Sequence, residues 1–181
     1  FAHDANNYTA RMAYIYSMQN LSFAPPDGGL MEKCQQLYSE AEAYYCFMSP
    51  HMQQVIATPL FIFNSRFDFW QLNNILQLHK WNTTDEMAAV EQYGADFLDE
   101  FHPILSEEKH GAAITTCICH ECEWDQLMVG NMSGYEHYAD WFYGRTKGAD
   151  AVHIDDRKPN GGGTITLKTC YPFPWSGGKK R

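Results

Sequence analysis

The stretch FIFNSRFDFWQ, residues 61–71, joins a predicted buried strand to a single acidic residue. It ends an apolar run that begins at residue 55 (VIATPLFIF), passes through a polar turn and sets one carboxylate, Asp68, between two phenylalanines. A long run of β-branched and aromatic residues is typical of a parallel strand buried on both faces. Because ligands collect beyond the carboxyl ends of strands in open α/β sheets, Asp68 is a candidate catalytic residue.

A second strand is predicted over residues 110–118 (HGAAITTCI), and His120 follows it in the loop CHECEW. Between the two strands, residues 82–105 predict a long helix that begins at a capping box of Thr83 and Glu86 and that Pro103 ends. A strand–helix–strand unit with a long crossover favours a parallel α/β sheet with flanking helices. Asp68 and His120 would then lie on the same edge of that sheet.

The other segments are assigned from apolar spacing and from turn residues. Helices are predicted over residues 8–20, 29–49, 69–79 and 133–145, the last with Ser133 as N-cap and Gly144 just past its end. Residues 146–163 are predicted as a loop, and residues 164–170 as a short edge strand. Two strong strands are too few for a complete doubly wound sheet, so we expect the chain to be the later part of a larger domain.

An Asp followed by a His, after successive late strands, matches the Ser–Asp–His chain order of α/β-hydrolases. In that arrangement the carboxylate orients the imidazole, which takes the proton of a serine hydroxyl. No Gly-x-Ser-x-Gly motif occurs, and GNMSG (residues 130–134) has the wrong spacing and follows the His. Each residue also has a structural interpretation: Asp68 could cap the following helix, and His120 could be a loop histidine bonded to a carbonyl.

Composition and charge constrain the partners and the compartment. The net charge is −9 and no basic patch precedes the terminal GGKKR, which argues against nucleic acid or an anionic membrane as partner. No apolar run is long enough for a membrane span. Six cysteines and four Asn-x-Ser/Thr sequons predict a secreted or endomembrane-lumenal glycoprotein, with the acceptors Asn7, Asn20, Asn82 and Asn131.

The cysteines allow more than one arrangement. Cys34 and Cys46 are twelve residues apart, a spacing that fits a local disulfide or, alternatively, a pair of buried thiols. The cluster CICHEC, residues 117–122, could hold zinc through its thiols and His120. Its ligands are too close together for two separated knuckles, and the sequons indicate an oxidising compartment, so disulfides are favoured over a metal. No cofactor is expected.

Three segments resemble the pectin acetylesterase family, which includes the Notum-type carboxylesterases. TPLFIFNSRFDFWQLNNIL is similar to the family's TPLF…YDSWQ…NIL segment, CICHE to its Cys-x-x-His segment, and ADWFYGR to its DWFYxR helix. The likeness runs in order from near residue 1 to about residue 175. It implies that residues 1–175 are the C-terminal part of one α/β-hydrolase-like domain, with residues 176–181 as a basic tail.

The resemblance also implies an activity and a set of site residues. It implies hydrolysis of a carboxylic ester by a Ser–Asp–His triad, with Asp68 and His120 as its later members and the serine upstream of residue 1. The chain alone would then be inactive. Where the family has Tyr and Ser beside its Asp, this chain has Phe67 and Phe69. A Cys117–Cys170 disulfide is preferred, and a strained Cys119–Cys122 pair is less certain.

The segment FDFWQ favours the polysaccharide branch of the family, so the expected substrate is an acetylated polysaccharide such as pectin. Two alternatives of other classes remain. One is a non-catalytic or degenerate relative that binds glycan through the aromatic residues near 61–81. The other is a small Cys/His metal-binding domain. Oligomeric state cannot be inferred from the sequence.

Overall fold

A computed structural model describes residues 2–19, 29–79, 83–121, 123–125 and 127–156, with the side chains of the first helix described from residue 8 onward. The chain divides into two compact units, Phe1–Pro59 and Leu60–Arg181. No described helix is both long and apolar enough to cross a bilayer. The prediction of a single domain over residues 1–175 stays a prediction.

The first unit is helical and contains one disulfide. Helix α1 spans Ala2–Met18, α2 spans Leu30–Gln35 and α3 spans Ser49–Met52, with 3₁₀ helices at Ala43–Phe47 and Gln53–Val55. The single helix predicted over residues 29–49 is therefore wrong, because turns follow Gln35. Cys34 and Cys46 are buried and form a disulfide, which joins α2 to the first 3₁₀ helix.

The second unit contains a parallel sheet of three strands in the order β1-β2-β5. Strand β1 spans Phe61–Ser65, β2 spans Gly111–Thr115 and β5 spans Val152–Ile154. β1 starts six residues later than predicted, after Pro59, which has no N–H for a strand ladder. β5 lies in the segment that was predicted as a loop, because an apolar alternation of only three residues (Val152, His153, Ile154) is too short to carry a strand signal.

Helices α4 (Phe69–Asn74) and α5 (Thr84–Leu105) connect β1 to β2. The predicted capping box of Thr83 and Glu86 is present. Pro103 does not end α5, which continues to Leu105, because proline costs the helix one N–H but keeps a helical φ. α4 ends at Asn74 rather than continuing to residue 79, and Gln77 soon afterwards has a φ of 56°.

A short hairpin and a helix connect β2 to β5. The hairpin pairs β3 (Met128–Val129) with β4 (Met132–Ser133), and Gly130 supplies the positive φ of +62° that its tight turn needs. Helix α6 (Gly134–Phe142) follows, with Ser133 as its N-cap. Gly144, with a φ of +70°, follows the C-cap Tyr143, as predicted. A 3₁₀ helix at Gly148–Ala151 leads into β5.

Apolar packing covers both faces of the sheet. One face packs against α5 through a core of Phe97, Phe101, Ile104, Ala112 and Ile114. On the other face Phe61 contacts Trp124, Tyr138 and Trp141. Every residue of β2 is buried, and a Cβ on Gly111 would lie 2.7 Å from the rings of Phe61 and Trp141. Helices therefore pack closely on both faces of the sheet, and the tight contact of Gly111 lies where β1 and β2 begin.

Candidate active site

The two loops that leave β1 and β2 run side by side beyond the end of the sheet. The backbone N–H of Arg66 donates to the carbonyl of Thr115 (2.8 Å), and that of Phe69 donates to the carbonyl of Cys119 (3.2 Å). Asp68 and Cys119 form an isolated parallel bridge. The parallel pairing thus continues past the strands and brings Asp68 beside His120, the residue after Cys119.

Side chains reinforce the same two loops. The hydroxyl of Ser65 donates to the carbonyl of Cys117 and accepts from the N–H of Phe67 (2.9 Å). On the far side of the second loop, Thr116 donates to the buried carboxylate of Asp155, just after β5 (2.8 Å). A polar residue at the end of β1 (Ser65), and one directly after each of β2 (Thr116) and β5 (Asp155), therefore hold this edge of the sheet in place.

Asp68 is buried, and both of its carboxylate oxygens have partners. Oδ1 accepts a hydrogen bond from the backbone N–H of Gln71 (2.7 Å), which makes Asp68 the N-cap of α4. Oδ2 lies 2.8 Å from Nδ1 of His120. The same carboxylate therefore caps α4 through Oδ1 and contacts the imidazole of His120 through Oδ2.

The imidazole of His120 lies partly in solvent. Its side chain is 48% exposed, whereas that of Asp68 is only 5% exposed. A carboxylate only accepts hydrogen bonds, so Nδ1 of His120 carries the proton that Asp68 accepts, and Nε2 of the neutral ring is then the basic nitrogen. The alternative of a loop histidine bonded to a backbone carbonyl is not the arrangement that the structure shows at Nδ1.

The residue before Asp68 packs into a buried core. Phe67 forms a cluster with Leu72, Val90 and Ile118, in which Leu72 and Val90 are fully buried. The ring of Phe67 lies against Gly94 of α5, where an added Cβ would be 2.3 Å from a ring carbon. Because Ile118 lies two residues before His120, one core supports both polar loops.

Tyr93 and Trp70 also lie at this site. The sequence did not point to Tyr93, and it pointed to Trp70 only as one of the aromatic residues near 61–81 of the glycan-binding alternative. The phenol of Tyr93 faces the backbone of Asp68 without a hydrogen bond of good geometry among the described residues. Burial, and then the charge of Asp68, raise the pKa of Tyr93. Trp70 stacks on the imidazole of His120. The only sequence signal for either residue was aromatic composition close to Asp68.

The other sequence candidates fall into different roles. Ser133 of GNMSG is bonded to the backbone and carboxylate of Glu136 in the capping box of α6, which agrees with its exclusion as a nucleophile. Cys117 and Cys119 are both disulfide-bonded, which removes Cys119 as a thiolate ligand for zinc. Their predicted partners Cys170 and Cys122 lie outside the described residues. The described part of the chain contains no group of three potential metal ligands.

The sequon at Asn131 is the one whose acceptor side chain the structure describes. Asn131 is exposed in the hairpin turn between β3 and β4, where a glycan would extend into solvent. The side chains of Asn7, Asn20 and Asn82 lie outside the described part, as do residues 164–170 and the basic tail. Their predicted roles stay predictions.

A parallel sheet flanked by helices, with an acid after one strand and a histidine after the next, defines an α/β-hydrolase-like protein. Comparison with known families agrees, since the pectinacetylesterase family matches residues 4–161. The chain belongs to that family, as the resemblance of its motifs indicated.

Curated relatives match at low identity. Pectin acetylesterase 11 of Arabidopsis thaliana is 24% identical over 125 residues, which cover 56% of this chain and 32% of the relative. Pectin acetylesterase 7 of the same plant is 22% identical over 132 residues, which cover 60% of this chain and 34% of the relative. The matched region thus spans about a third of each relative's length.

Proposed function

We propose that this chain supplies the aspartate and the histidine of the catalytic triad, Asp68 and His120, of a serine carboxylesterase that removes acetyl groups from a polysaccharide such as pectin. The observation that carries the proposal is the 2.8 Å contact between the buried Asp68 carboxylate and Nδ1 of the half-exposed His120. Membership of the pectinacetylesterase family and the names of the two relatives support the reaction and the substrate class.

In this mechanism Nε2 of His120 takes the proton of a serine hydroxyl as the serine attacks the acetyl carbonyl. Asp68 holds the ring in the correct tautomer and stabilises the imidazolium that forms. His120 then gives the proton to the leaving sugar alcohol, and a water molecule deacylates the serine by the same steps in reverse.

Because β1 is paired on one side only within the described residues, a further strand can join the sheet at its free edge.

The nucleophile is proposed to lie upstream of residue 1, so the 181-residue chain alone should hydrolyse no ester. We further propose that the full-length protein is secreted or lumenal. The disulfides at Cys34, Cys46, Cys117 and Cys119 and the exposed sequon at Asn131 support that compartment.

The test separates the two contacts of Asp68 in the full-length protein. Asparagine caps a helix about as well as aspartate does, so Asp68→Asn should leave the thermal midpoint nearly unchanged. The same variant cannot hold the required histidine tautomer, and kcat for acetyl release from acetylated pectin should fall by at least ~10². His120→Ala should produce a loss of similar size.

Asp140→Asn is the matched control, because it makes the same charge change on a partly exposed aspartate of α6, which pairs with Arg145. Its activity should equal that of the wild type. If Asp68→Asn stays fully active, Asp68 is a cap alone and the esterase assignment fails. An enzyme that is inactive before any substitution would instead favour a non-catalytic relative.

A further inference from the structure

The indole of Trp70 stacks on the imidazole of His120, with ring centroids 5.8 Å apart and an angle of 26° between the ring planes. We propose that Trp70 is a positioning residue that holds the imidazole of His120 in the orientation needed for proton transfer. This inference rests on the proposed esterase function. It assigns a role to an aromatic residue that is 41% exposed and that the fold does not need for its core.

The hydrogen bond to Asp68 does not fix the imidazole by itself. One bond at Nδ1 leaves the ring able to rotate about the N–H···O direction, and such a rotation swings Nε2 away from a serine hydroxyl. A flat indole against one face of the ring opposes that rotation, because tilting the imidazole would lose the stacked contact. The two contacts together define both the position and the plane of the ring.

One helical turn supplies both contacts. Asp68 is the N-cap of α4, and Trp70 is the second residue of that helix. The bond from the N–H of Gln71 to Asp68 locks the carboxylate to the same turn. The acceptor for Nδ1 and the surface that stacks on the ring are therefore built into a single rigid element rather than into two independent loops.

Stacking also favours the charged form of the ring during the reaction. A cation within about 6 Å of the centroid of an indole is attracted to its electron-rich face. The imidazole becomes such a cation when it takes the serine proton. Asp68 pairs with the imidazolium at Nδ1, but that single contact does not set the plane of the ring.

The competing role for an exposed tryptophan beside a polysaccharide site is contact with the polymer. A small ester distinguishes the two roles, because p-nitrophenyl acetate has no sugar chain to stack on Trp70. A positioning residue acts on kcat for both substrates. A residue that contacts only the polymer changes KM for acetylated pectin and leaves hydrolysis of the small ester unchanged.

The first experiment measures kcat and KM of the full-length protein on p-nitrophenyl acetate. Trp70→Leu should lower kcat about tenfold with KM within about twofold, and Trp70→Phe, which keeps an aromatic face, should recover most of the loss. The control is Phe69→Leu, a neighbouring aromatic residue with a similar exposure of 51%. An unchanged kcat in Trp70→Leu, or an equal loss in Phe69→Leu, would overturn the proposal.

The second experiment does not depend on activity. In full-length protein labelled with ¹³C at Cε1 of histidine, the His120 signal is assigned by its loss in His120→Ala. Stacking on Trp70 should shift the signal of the proton bonded to Cε1 of His120 upfield. That shift should disappear in Trp70→Leu but not in Phe69→Leu. An identical His120 signal in wild type and Trp70→Leu contradicts the positioning role. Absence of ester hydrolysis with the upfield shift present counts against the proposed function instead.

Discussion

At the scale of single residues, several polar groups of the second unit owe their state to burial. His110 is 1% exposed, and its Nδ1 accepts a hydrogen bond from the backbone N–H of Leu60 (3.0 Å). That bond requires an unprotonated Nδ1. Burial lowers the pKa of His110, the charge of Lys109 acts in the same direction, and Glu107 opposes both. The neutral ring is thus part of the native structure where β1 begins.

This lowered pKa predicts a loss of stability in mild acid. The unfolded chain protonates His110 near its ordinary pKa of 6.5, whereas the folded chain protonates it only at lower pH. The stabilisation is therefore complete above pH 6.5 and declines as the pH falls below that value. We expect the thermal midpoint of the full-length protein to decrease as the pH is lowered from 7.5 to 5.5.

His110→Asn should reduce that pH dependence, because asparagine can still accept from Leu60 but does not titrate. In this variant the thermal midpoint should depend less steeply on pH, but the dependence should not vanish. Burial, and then the charge of His137, also lower the pKa of His153. The matched control is the exposed His79→Asn, which should keep the slope of the wild type. A slope in His110→Asn as steep as the wild-type slope would refute this origin.

At the scale of elements, the approach of α5 to the Asp68 loop is decided by one glycine. Gly94 is buried in the helix interior, and its carbonyl accepts a hydrogen bond from Nε of Arg66 (3.0 Å). The ring of Phe67 occupies the space where a side chain on residue 94 would be. Helix propensity alone would favour alanine at this position by about 1 kcal/mol, so close packing overrides local preference here.

Gly94→Ala should therefore destabilise the protein, by about 1–3 kcal/mol, despite its better helix propensity. Moving Phe67 also displaces Asp68, so we expect esterase activity to fall with stability. Chemical denaturation and ester hydrolysis of the full-length protein measure the two effects. Glu91→Ala, on the exposed side of α5, should change neither quantity by much. Greater stability in Gly94→Ala would show that this contact is not tight.

At the scale of the whole molecule, the cysteines and the exposed sequon are the features that bear on the proposed secreted or lumenal compartment. Cys34 and Cys46 form a disulfide, and Cys117 and Cys119 are each disulfide-bonded. Disulfides persist in oxidising compartments, where glycosylation also occurs. The hairpin presents Asn131 to solvent in its turn and ends at Ser133, which is both the third residue of the sequon and the N-cap of α6.

Asn131 should accordingly carry an N-linked glycan in protein purified from its native source. Release with a glycosidase that converts the glycosylated asparagine to aspartate, followed by peptide mass analysis, tests the site directly. Asn131→Gln should remove one of the shifts in gel mobility that glycosidase treatment produces. Ser133→Thr keeps both the sequon and a helix cap, so that shift should remain. An unmodified Asn131 in native protein would count against the lumenal compartment.

Two of the sequence predictions that failed within the second unit have separate physical causes. Pro103 was expected to terminate α5, but the helix includes Pro103 and ends at Leu105, the last residue of the predicted span, because proline removes only one N–H and Ile104 packs into the core. The strand β5 was missed because three residues gain their strand structure from pairing with β2, a contact far away in sequence. Stacking of Trp70 on His120 was missed for the same reason.

What the sequence alone determined was the order of the chemistry. The apolar run before Asp68, the capping signals of α5 and α6, and the strand before His120 are local patterns, and local patterns place an acid and then a base after successive strands. Only the tertiary structure shows that the carboxylate of Asp68 accepts from two donors, and that the indole of Trp70 stacks with the imidazole of His120. Those contacts depend on the register of parallel strands, which joins residues about fifty positions apart.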